Sequence, residues 1–265
     1  MIRFLPAFLS ALLIPLSLTA AEWELEDTSP ALANRDALVY QRTIVRKKGE
    51  TSLFGNRIIQ LVWFDDQKAE LKVIDNGDGE KSTYQNLAVA MGENGCVAGC
   101  NGGFFLKNYA PSGLMIANNQ SIGKWGTAKL LSGAVLVDGN GKASIIRRSE
   151  FTGNASELLQ AGPFLVDNGT PVNGLSRENS RRRTFVLHDG GHQFAIGMSD
   201  AFTLNELSEI LSLPGAFGDK KIYRALNLDG GTSSGIFYDR GRDYVNVHVE
   251  PFKRVRNFLG IAPKK

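Results

Sequence analysis

The sequence is poor in the residues that most often bind metals. Its 265 residues include only two cysteines and three histidines, and the histidines are scattered at His188, His192 and His248. Nothing resembles an EF-hand loop or a His-rich zinc motif. Each histidine is therefore interpreted as a surface or strand residue rather than a ligand. No cofactor is indicated, and a divalent cation such as calcium, held by Asp229 and Asp200, is left as an open alternative.

The chain also lacks a strong charge bias, a repeat and an internal linker. Its formal net charge of +3 is too small to indicate binding to nucleic acid or to a membrane surface. No repeat of solenoid period is present, and no Pro- or Ser-rich stretch divides the chain. One domain is therefore predicted over residues 22–265.

The N-terminus carries the one targeting pattern. Arg3 is the only charged residue before Glu22, residues 4–18 are mainly apolar, and residues 19–21 are small. This order is typical of a signal peptide, predicted over residues 1–21. An uncleaved anchor is disfavoured, because the run is shorter than about 20 apolar residues and is broken by prolines. We expect a periplasmic or secreted protein without stable membrane insertion after cleavage.

The two cysteines are Cys96 and Cys100. In an oxidising compartment, an even pair this close predicts a disulfide if the chain turns at Gly99. Two buried free thiols are the alternative.

Hydrophobic alternation and turn residues predict an α+β domain with a mixed or mainly antiparallel sheet and few helices. The clearest helix covers residues 203–213, where Thr203 and Glu206 form a capping box. A short helix begins at Leu87. Predicted strands cover residues 37–45, 56–64, 69–75, 225–228, 235–238, 245–249 and 257–261, and predicted hairpins cover 134–146, 164–172 and 183–197.

A first glycine-rich segment, residues 99–105, could carry chemistry. Asn101 precedes Gly102 and Gly103, and two phenylalanines follow. The amide of Asn101 suits a ligand hydroxyl or phosphoryl oxygen, and the glycine N–H groups suit an anion. A β-bulge with a self-capping Asn is the structural alternative.

A second segment, residues 225–235, delivers a carboxylate from an apolar strand into a glycine turn. Asp229 is followed by Gly230 and Gly231, and then by Thr232, Ser233 and Ser234. A carboxylate beside open backbone amides at a strand end suits catalysis. A plain Asp-Gly turn is the alternative.

Three arginines precede the strand that begins at residue 184. A guanidinium at a strand mouth suits bidentate binding of phosphate. Strand alternation lets Arg183 point inwards while Arg182 points outwards. A solvated surface run is the alternative for two of the three.

These segments, taken in order, resemble the phosphodiester glycosidase family. The pieces that carry the resemblance are Asn101–Phe105, Pro111–Leu114, Gln160–Val166, Arg183-Thr184, the helix after Thr203, Ala225–Ser234 and Val255–Gly260. They span roughly residues 55 to 262. The nearest match to the family's Arg-Pro pair before the tail Asn is Lys253-Arg254, which leaves open which cation reaches the site.

The resemblance implies hydrolysis of the glycosidic bond of a sugar 1-phosphodiester, so that the partner is a carbohydrate or sugar-phosphate substrate. It implies that Asp229 is the catalytic carboxylate and that Arg183 and Asn101 act with it. The substrate-binding residues that it implies are Gly102, Gly103, Gly230, Gly231, Ser233, Ser234 and Asn257. A phosphate leaving group is weakly basic, so one carboxylate and a strong anion site meet the chemical demand. We also expect residues 111–114 and the Gly162-Pro163 turn to wall the same cleft.

Two rival functions are considered. The segment from Gly231 to Gly235 fits the G-x-S-x-G pattern of a serine hydrolase with Ser233 as nucleophile, but too few residues follow to place the acid and His248. A non-catalytic periplasmic carbohydrate-binding protein, with Trp63 and Trp125 stacking on sugars, is the second rival.

Overall fold

A computed structural model describes residues 22–29, 32–33, 35–52, 54–79 and 81–264. The predicted signal peptide, residues 1–21, lies outside the described residues. Within the described part of the chain, no helix is long and apolar enough to cross a membrane.

The described residues form strands in three sheets, with two short helices. The strands are β1 (Trp23–Thr28), β2 (Leu32–Ala33), β3 (Val39–Lys47), β4 (Arg57–Asp65), β5 (Ala69–Asp75), β6 (Ala98–Asn101), β7 (Met115–Ala117), β8 (Gln120–Ile122), β9 (Gly133–Val137), β10 (Ala143–Arg147), β11 (Glu157–Ala161), β12 (Phe164–Asp167), β13 (Thr170–Pro171), β14 (Arg181–His188), β15 (Gln193–Phe202), β16 (Arg224–Asn227), β17 (Ile236–Tyr238), β18 (Val247–Val249) and β19 (Asn257–Pro263). The helices are α1 (Leu87–Glu93) and α2 (Leu204–Ile210), with single 3-10 turns at Arg148–Glu150 and Gly231–Ser233.

The strand pairing is antiparallel throughout the described residues. The expectation of a mainly antiparallel protein with few helices is confirmed. The α+β label fits only loosely, because each α-helix has seven residues and the sheets supply most of the packed surface.

The largest sheet has nine strands in the order β1-β3-β4-β15-β14-β16-β12-β13, with β2 paired to β3. Two five-stranded sheets have the orders β10-β9-β11-β7-β8 and β18-β17-β6-β19-β5. One buried cluster takes side chains from all three sheets, including Val186, Val135 and Leu259. The three sheets therefore share a core, as expected of one domain.

The helix α2 covers the opposite face of the nine-stranded sheet. Its Leu207 and Ile210 pack with Phe185 and Leu187 of β14. The capping box is present, with the Glu206 N–H donating to Thr203 Oγ1 at 3.2 Å. The helix is shorter than predicted, because the chain enters turns near Pro214 and Gly215, and the residue before a proline disfavours helical geometry.

The predicted disulfide is wrong. Cys96 and Cys100 are both free and buried. Cys100 lies inside β6, and the Val97 N–H already donates to Ile261 of β19. The predicted turn at Gly99 is absent, because Gly99 lies inside β6, and a strand does not fold back to bring two nearby cysteines together. Burial raises the pKa of Cys96 to about 12.

The candidate site lies where the nine-stranded sheet meets the sheet that contains β6. The Leu228 N–H donates to Thr184 of β14, and the Asp229 N–H donates to the carbonyl of Gly102 at 3.1 Å. The residue after β6 thus holds the residues after β16, so the two glycine-rich segments are joined by the backbone.

Candidate active site

Asp229 is the second residue after β16, and its backbone is held by the hydrogen bond to the carbonyl of Gly102. Its Oδ1 accepts a hydrogen bond from the Gly230 N–H at 2.9 Å. Burial raises the pKa of Asp229 above its ordinary value, and the nearby Ser233 hydroxyl, the charge of Lys253 and the Gly230 N–H oppose the rise. The carboxylate is therefore poised closer to neutral pH than a surface aspartate.

Arg183, the third residue of β14, is buried. Its Nε donates to the carbonyl of Phe202 at 2.9 Å and its Nη2 donates to the carbonyl of Asn179 at 2.8 Å. Burial, followed by the charge of Arg181, lowers the pKa of Arg183 to about 10. No acidic side chain among the described residues pairs with it. The guanidinium is thus a desolvated cation without a protein counter-ion.

Asp229 and Arg183 line one cleft of about 270 Å³. Its polar wall is completed by Arg181, Asn227 and Gly230. The remaining lining residues are the apolar Phe104, Leu130, Leu204 and Leu228 and the loop residues Ser176, Glu178 and Asn179. The cleft therefore combines two carboxylates, those of Asp229 and Glu178, with two guanidinium groups and four apolar side chains.

Asn101 is fully buried and does not line this cleft. Its Oδ1 accepts from the Thr184 hydroxyl at 2.7 Å and from the Gly235 N–H at 3.0 Å. Its Nδ2 donates to the carbonyl of Asp229 at 2.7 Å. These bonds connect β6, β14 and both ends of the turn after β16, so the amide of Asn101 holds Asp229 in position.

The glycines bring backbone close together at the same place. A Cβ on Gly102 would lie 2.0 Å from Asn257 Oδ1, and one on Gly230 would lie 2.9 Å from the carbonyl of Arg182. The N–H of Gly102 donates to the Asn257 carbonyl at 2.9 Å, and that of Gly103 donates to Asn257 Oδ1 at 2.7 Å. Both donors are therefore occupied by the protein itself.

The amide of Gly231 differs from these. Among the described residues it has no hydrogen-bond acceptor, and a Cβ on Gly231 would lie 3.5 Å from Arg181 Cδ. An N–H group at the start of a short 3-10 turn, beside an arginine of the cleft, is suited to an anion.

Several buried polar atoms surround Asp229 without a hydrogen-bond partner. Oγ of Ser233, Oγ of Ser234, Oδ1 of Asn227 and Nδ2 of Asn257 each lack a partner of standard geometry among the described residues. The Ser233 hydroxyl makes no hydrogen bond of standard geometry to Asp229, but it is close enough to lower the pKa of that carboxylate. Buried polar atoms are nearly always paired, so such a cluster indicates a place for a ligand or an ordered water.

Of the two cations in the tail segment, Lys253 is the one whose charge lowers the pKa of Asp229. Its Nζ lies 5.0 Å from the ring centroid of Phe105, and it does not line the cleft. Arg254 instead donates through Nη1 to the carbonyl of Gly79 at 3.0 Å.

Residues 111–114 and the Gly162-Pro163 turn, which we expected to form cleft walls, do not line the cleft. Each is hydrogen-bonded to a residue that lines it. The Ser112 N–H donates to the carbonyl of Phe104, and the Gly162 N–H donates to the carbonyl of Asn227. They support the walls from the second layer.

Sequence reasoning missed Glu178 and the apolar wall. Glu178 belongs to the loop before β14, and its side chain makes no hydrogen bond or ion pair with the described residues. No local pattern marks it. The one available signal was its position just before Arg181–Arg183, because a loop that leads into arginines of the cleft must itself approach the cleft.

The histidines lie apart from Ser233. His188 stacks on Phe194, His192 contacts Asp66 and His248 contacts Glu250. Ser233 has no histidine partner among the described residues, so the geometry needed for a serine nucleophile is missing there.

No three side chains of His, Cys, Asp or Glu within the described chain are grouped to hold a metal ion. Asp200, the second carboxylate considered for a cation, accepts from the Ile58 N–H at 2.8 Å through Oδ2.

A comparison with protein families identifies the family of the chain. The sequence model described as phosphodiester glycosidase matches residues 94–262. The chain belongs to this family. The matched segment contains Asn101, Arg183, Asp229 and Asn257 and begins just before β6. Comparison with curated proteins gives no match.

Solved structures share the fold. The catalytic domain of zebrafish N-acetylglucosamine-1-phosphodiester alpha-N-acetylglucosaminidase, auto-inhibited by its pro-peptide, has a TM-score of 0.61 at 15% identity over 90% of this chain and 88% of that chain. A hypothetical protein from Synechocystis has a TM-score of 0.56 at 14% identity over 84% of this chain and 62% of that chain. A Burkholderia pseudomallei protein predicted to be exported has a TM-score of 0.51 at 12% identity, over 78% and 74% of the two chains. At these identities the likeness shows the fold.

Proposed function

We propose that this family member hydrolyses the glycosidic bond of a sugar 1-phosphodiester. The observation that carries the proposal is the pairing, within one cleft, of a carboxylate of raised pKa with a buried arginine that has no acidic partner among the described residues. The carboxylate suits the positive charge that develops at the anomeric carbon of such a substrate, and the arginine suits the negative charge of its phosphate.

Arg183 and Arg181 are assigned to the phosphate. Two of the donors of Arg183 are held by backbone carbonyls, which fixes the guanidinium plane, while Nη1 has no hydrogen bond to a described residue. Since Gly102, Gly103 and Gly230 donate within the protein, the amide of Gly231 is the glycine donor assigned to the same anion. Oriented donors of this kind stabilise charge without reorganisation.

Asp229 is assigned to the anomeric carbon. As the bond from C1 to the phosphate oxygen breaks, the electron pair leaves with the phosphate monoester and positive charge develops at C1. The carboxylate stabilises that charge, and the oxygen of water ends on C1 while its proton is released. The phosphate leaves without protonation, because its oxygen is weakly basic, so a second carboxylic acid is unnecessary.

Asn101, Asn257, Ser233 and Ser234 are assigned to positioning. Asn101 and Asn257 hold the backbone of the two glycine segments, and the hydroxyl of Ser233 adjusts the pKa of Asp229. We also propose a periplasmic or secreted location, supported by the N-terminal pattern of the sequence. The compartment is tested by fractionating cells that express the full chain and sequencing the N-terminus of the mature protein.

A carbohydrate-binding module is less well supported. Trp63 is buried and Trp125 stacks on Phe151 with ring centroids 4.5 Å apart. Trp63 therefore offers no face to a sugar, and Phe151 covers one of the two faces of Trp125.

The test is hydrolysis of an α-linked sugar 1-phosphodiester in water enriched in oxygen-18. Cleavage at C1 yields the free sugar and a phosphate monoester that carries no heavy oxygen. A phosphodiesterase would place the label in the phosphate, and would release either labelled sugar 1-phosphate together with an alcohol or free sugar together with a labelled phosphate monoester. Label in the phosphate, or no turnover together with glycan binding, contradicts the proposal.

A further inference from the structure

A second cavity, of about 200 Å³, lies beside the cleft. It is lined by the segment Glu250–Val255, by Tyr84, Gln85 and Asn86 just before α1, and by Asn76 and Phe258. Ligand pockets for drug-sized molecules measure roughly 300–1,000 Å³. This cavity therefore suits a group the size of one sugar ring or a small polyol.

The cavity and the cleft are connected through two neighbouring residues. The Phe252 N–H donates to the carbonyl of Thr232 at 2.9 Å, three residues beyond Asp229. Lys253 lines the cavity, and its Nζ lies over the ring of Phe105, the neighbour of the cleft residue Phe104. A molecule that extends from Asp229 past Lys253 would enter the second cavity.

The lining is suited to hydroxyl groups. Glu250 is held in place, since its Oε1 accepts from the Leu87 N–H at 2.6 Å and its Oε2 lies 2.7 Å from His248 Nε2. Gln85 is exposed, and its side chain has no hydrogen bond to a described residue. A hydroxyl of a ligand can donate to the fixed carboxylate of Glu250 and can accept from or donate to the amide of Gln85.

Phe252 supplies a flat surface at the edge of this cavity. Its side chain is 78% exposed, and the guanidinium of Arg182 lies over its ring at 4.4 Å. Because Phe252 also lines the cavity, its ring can contact a ligand that is bound there. The cation holds the ring upright and occupies one of its faces.

We infer that the cavity formed by Gln85, Glu250, Phe252 and Lys253 binds the leaving-group half of the substrate, and that this half is a small sugar or polyol phosphate. The inference rests on the proposed function. It assigns the sugar that is released as free sugar to the cleft of Asp229 and the phosphate to the region between Arg183 and Lys253.

The experiment compares two phosphodiesters of the same sugar, one with a methyl and one with a glyceryl leaving group. In the variants Phe252→Ala and Gln85→Ala, kcat/KM for the glyceryl diester should fall about tenfold, as expected for losing an aromatic contact in the first and a hydrogen bond in the second, while kcat/KM for the methyl diester is unchanged. Phe54→Ala, a variant of another exposed ring before β4, should leave both substrates unchanged. Equal losses for both substrates, or no loss for either, overturn the inference.

Binding of glycerol 3-phosphate, followed by saturation-transfer NMR, tests the cavity without turnover. Arg183 holds the phosphate in both proteins, so inorganic phosphate is measured as a competitor. The wild type should bind glycerol 3-phosphate more tightly than inorganic phosphate, whereas Phe252→Ala should bind the two equally. An equal preference for glycerol 3-phosphate in both proteins, or none in either, overturns the subsite. If the wild type shows the preference but cleaves neither diester, the proposed function has failed while the subsite stands.

Discussion

Asp229 and Arg183 occupy one cleft, yet they do not neutralise each other. The carboxylate has a raised pKa and the guanidinium a lowered one, which are the shifts that burial produces when no close opposite charge compensates it. Desolvated and unpaired charges oppose folding. Buried charges without a partner are typical of functional sites, where a ligand supplies the opposite charge.

The first prediction concerns stability. A raised pKa means that the folded protein holds the Asp229 proton more tightly than the unfolded chain, so the stability from that proton is present at low pH and is lost as the pH rises through the folded-state pKa. At pH 7 the charged carboxylate opposes folding. Asp229→Asn should therefore leave the Tm at pH 7 unchanged or higher, as measured by calorimetry. A clear fall in Tm would show that the carboxylate is a structural group.

The second prediction concerns pH dependence. If the ionised carboxylate is active, kcat/KM rises as the pH passes through the raised pKa of Asp229. Lys253 lowers that pKa, so Lys253→Met should move the acid limb to higher pH. Because Lys253 is exposed, salt should cause a similar shift in the wild type. Lys48→Met, at an exposed lysine after β3, is the control, and an identical limb in Lys253→Met and the control contradicts the assignment.

At the scale of elements, the site depends on one buried amide that joins three segments. Asn101 bonds Thr184 of β14, Gly235 before β17 and Asp229 after β16. Removing it leaves several buried polar groups unpaired, and each such group lowers stability by about 1–3 kcal/mol.

The third prediction follows from this amide. Asn101→Ala should lower the free energy of unfolding by about 2–4 kcal/mol in urea, and activity should fall with it because Asp229 is no longer held. Asn56→Ala, at an exposed Asn before β4, should change stability by less than about 0.5 kcal/mol. If both variants are equally stable, Asn101 does not have this structural role.

Elements with strong local patterns could be predicted from the sequence. The hairpins β9–β10, β12–β13 and β14–β15 follow from glycine turns, and β4 and β5 follow from β-branched and apolar residues. The strand β6 could not be predicted, since Ala-Gly-Cys-Asn has no strand preference of its own. Its pairing with β17 and β19 decides its conformation, and this tertiary contact also excluded the disulfide.

The site itself was only half visible in the sequence. Asp229 and Arg183 could be found, because each stands at a strand end next to glycines or other arginines. Sequence did not reveal that Asn101 bonds Thr184 and nearby backbone groups, or that Asn257 accepts from the Gly103 N–H, since an Asn can bond either the protein or a ligand without any change in the surrounding sequence. Leu130, Leu204 and Glu178 come from separate loops, and only the fold brings them to the cleft.

At the scale of the whole molecule, three sheets share one core and place the cleft at a junction between two of them. The glycines permit that junction, because a Cβ on Gly102 would clash with Asn257 of β19 and a Cβ on Gly230 would clash with the carbonyl of Arg182 in β14. A rigid junction can hold Arg183 ready for phosphate before a substrate arrives.

The fourth prediction uses this preformed anion site. Inorganic phosphate at about ten times its Kd should stabilise the folded protein by about 1.4 kcal/mol, which raises the Tm by about 3–5 °C for a chain of this size. Arg183→Ala should abolish the shift, whereas Arg242→Ala, at an exposed arginine, should retain it. Chloride at matched ionic strength separates binding from screening, and an equal shift with chloride would count against the site.

The account depends most directly on the carboxylate of Asp229. The decisive measurement is kcat for hydrolysis of an α-linked sugar 1-phosphodiester by the wild type and by Asp229→Asn, with melting curves recorded on the same samples. We expect the wild type to release free sugar and the folded variant to be slower by a factor of about a hundred or more, as for the loss of one group that stabilises transition-state charge. A folded Asp229→Asn variant that retains nearly full activity would contradict the account.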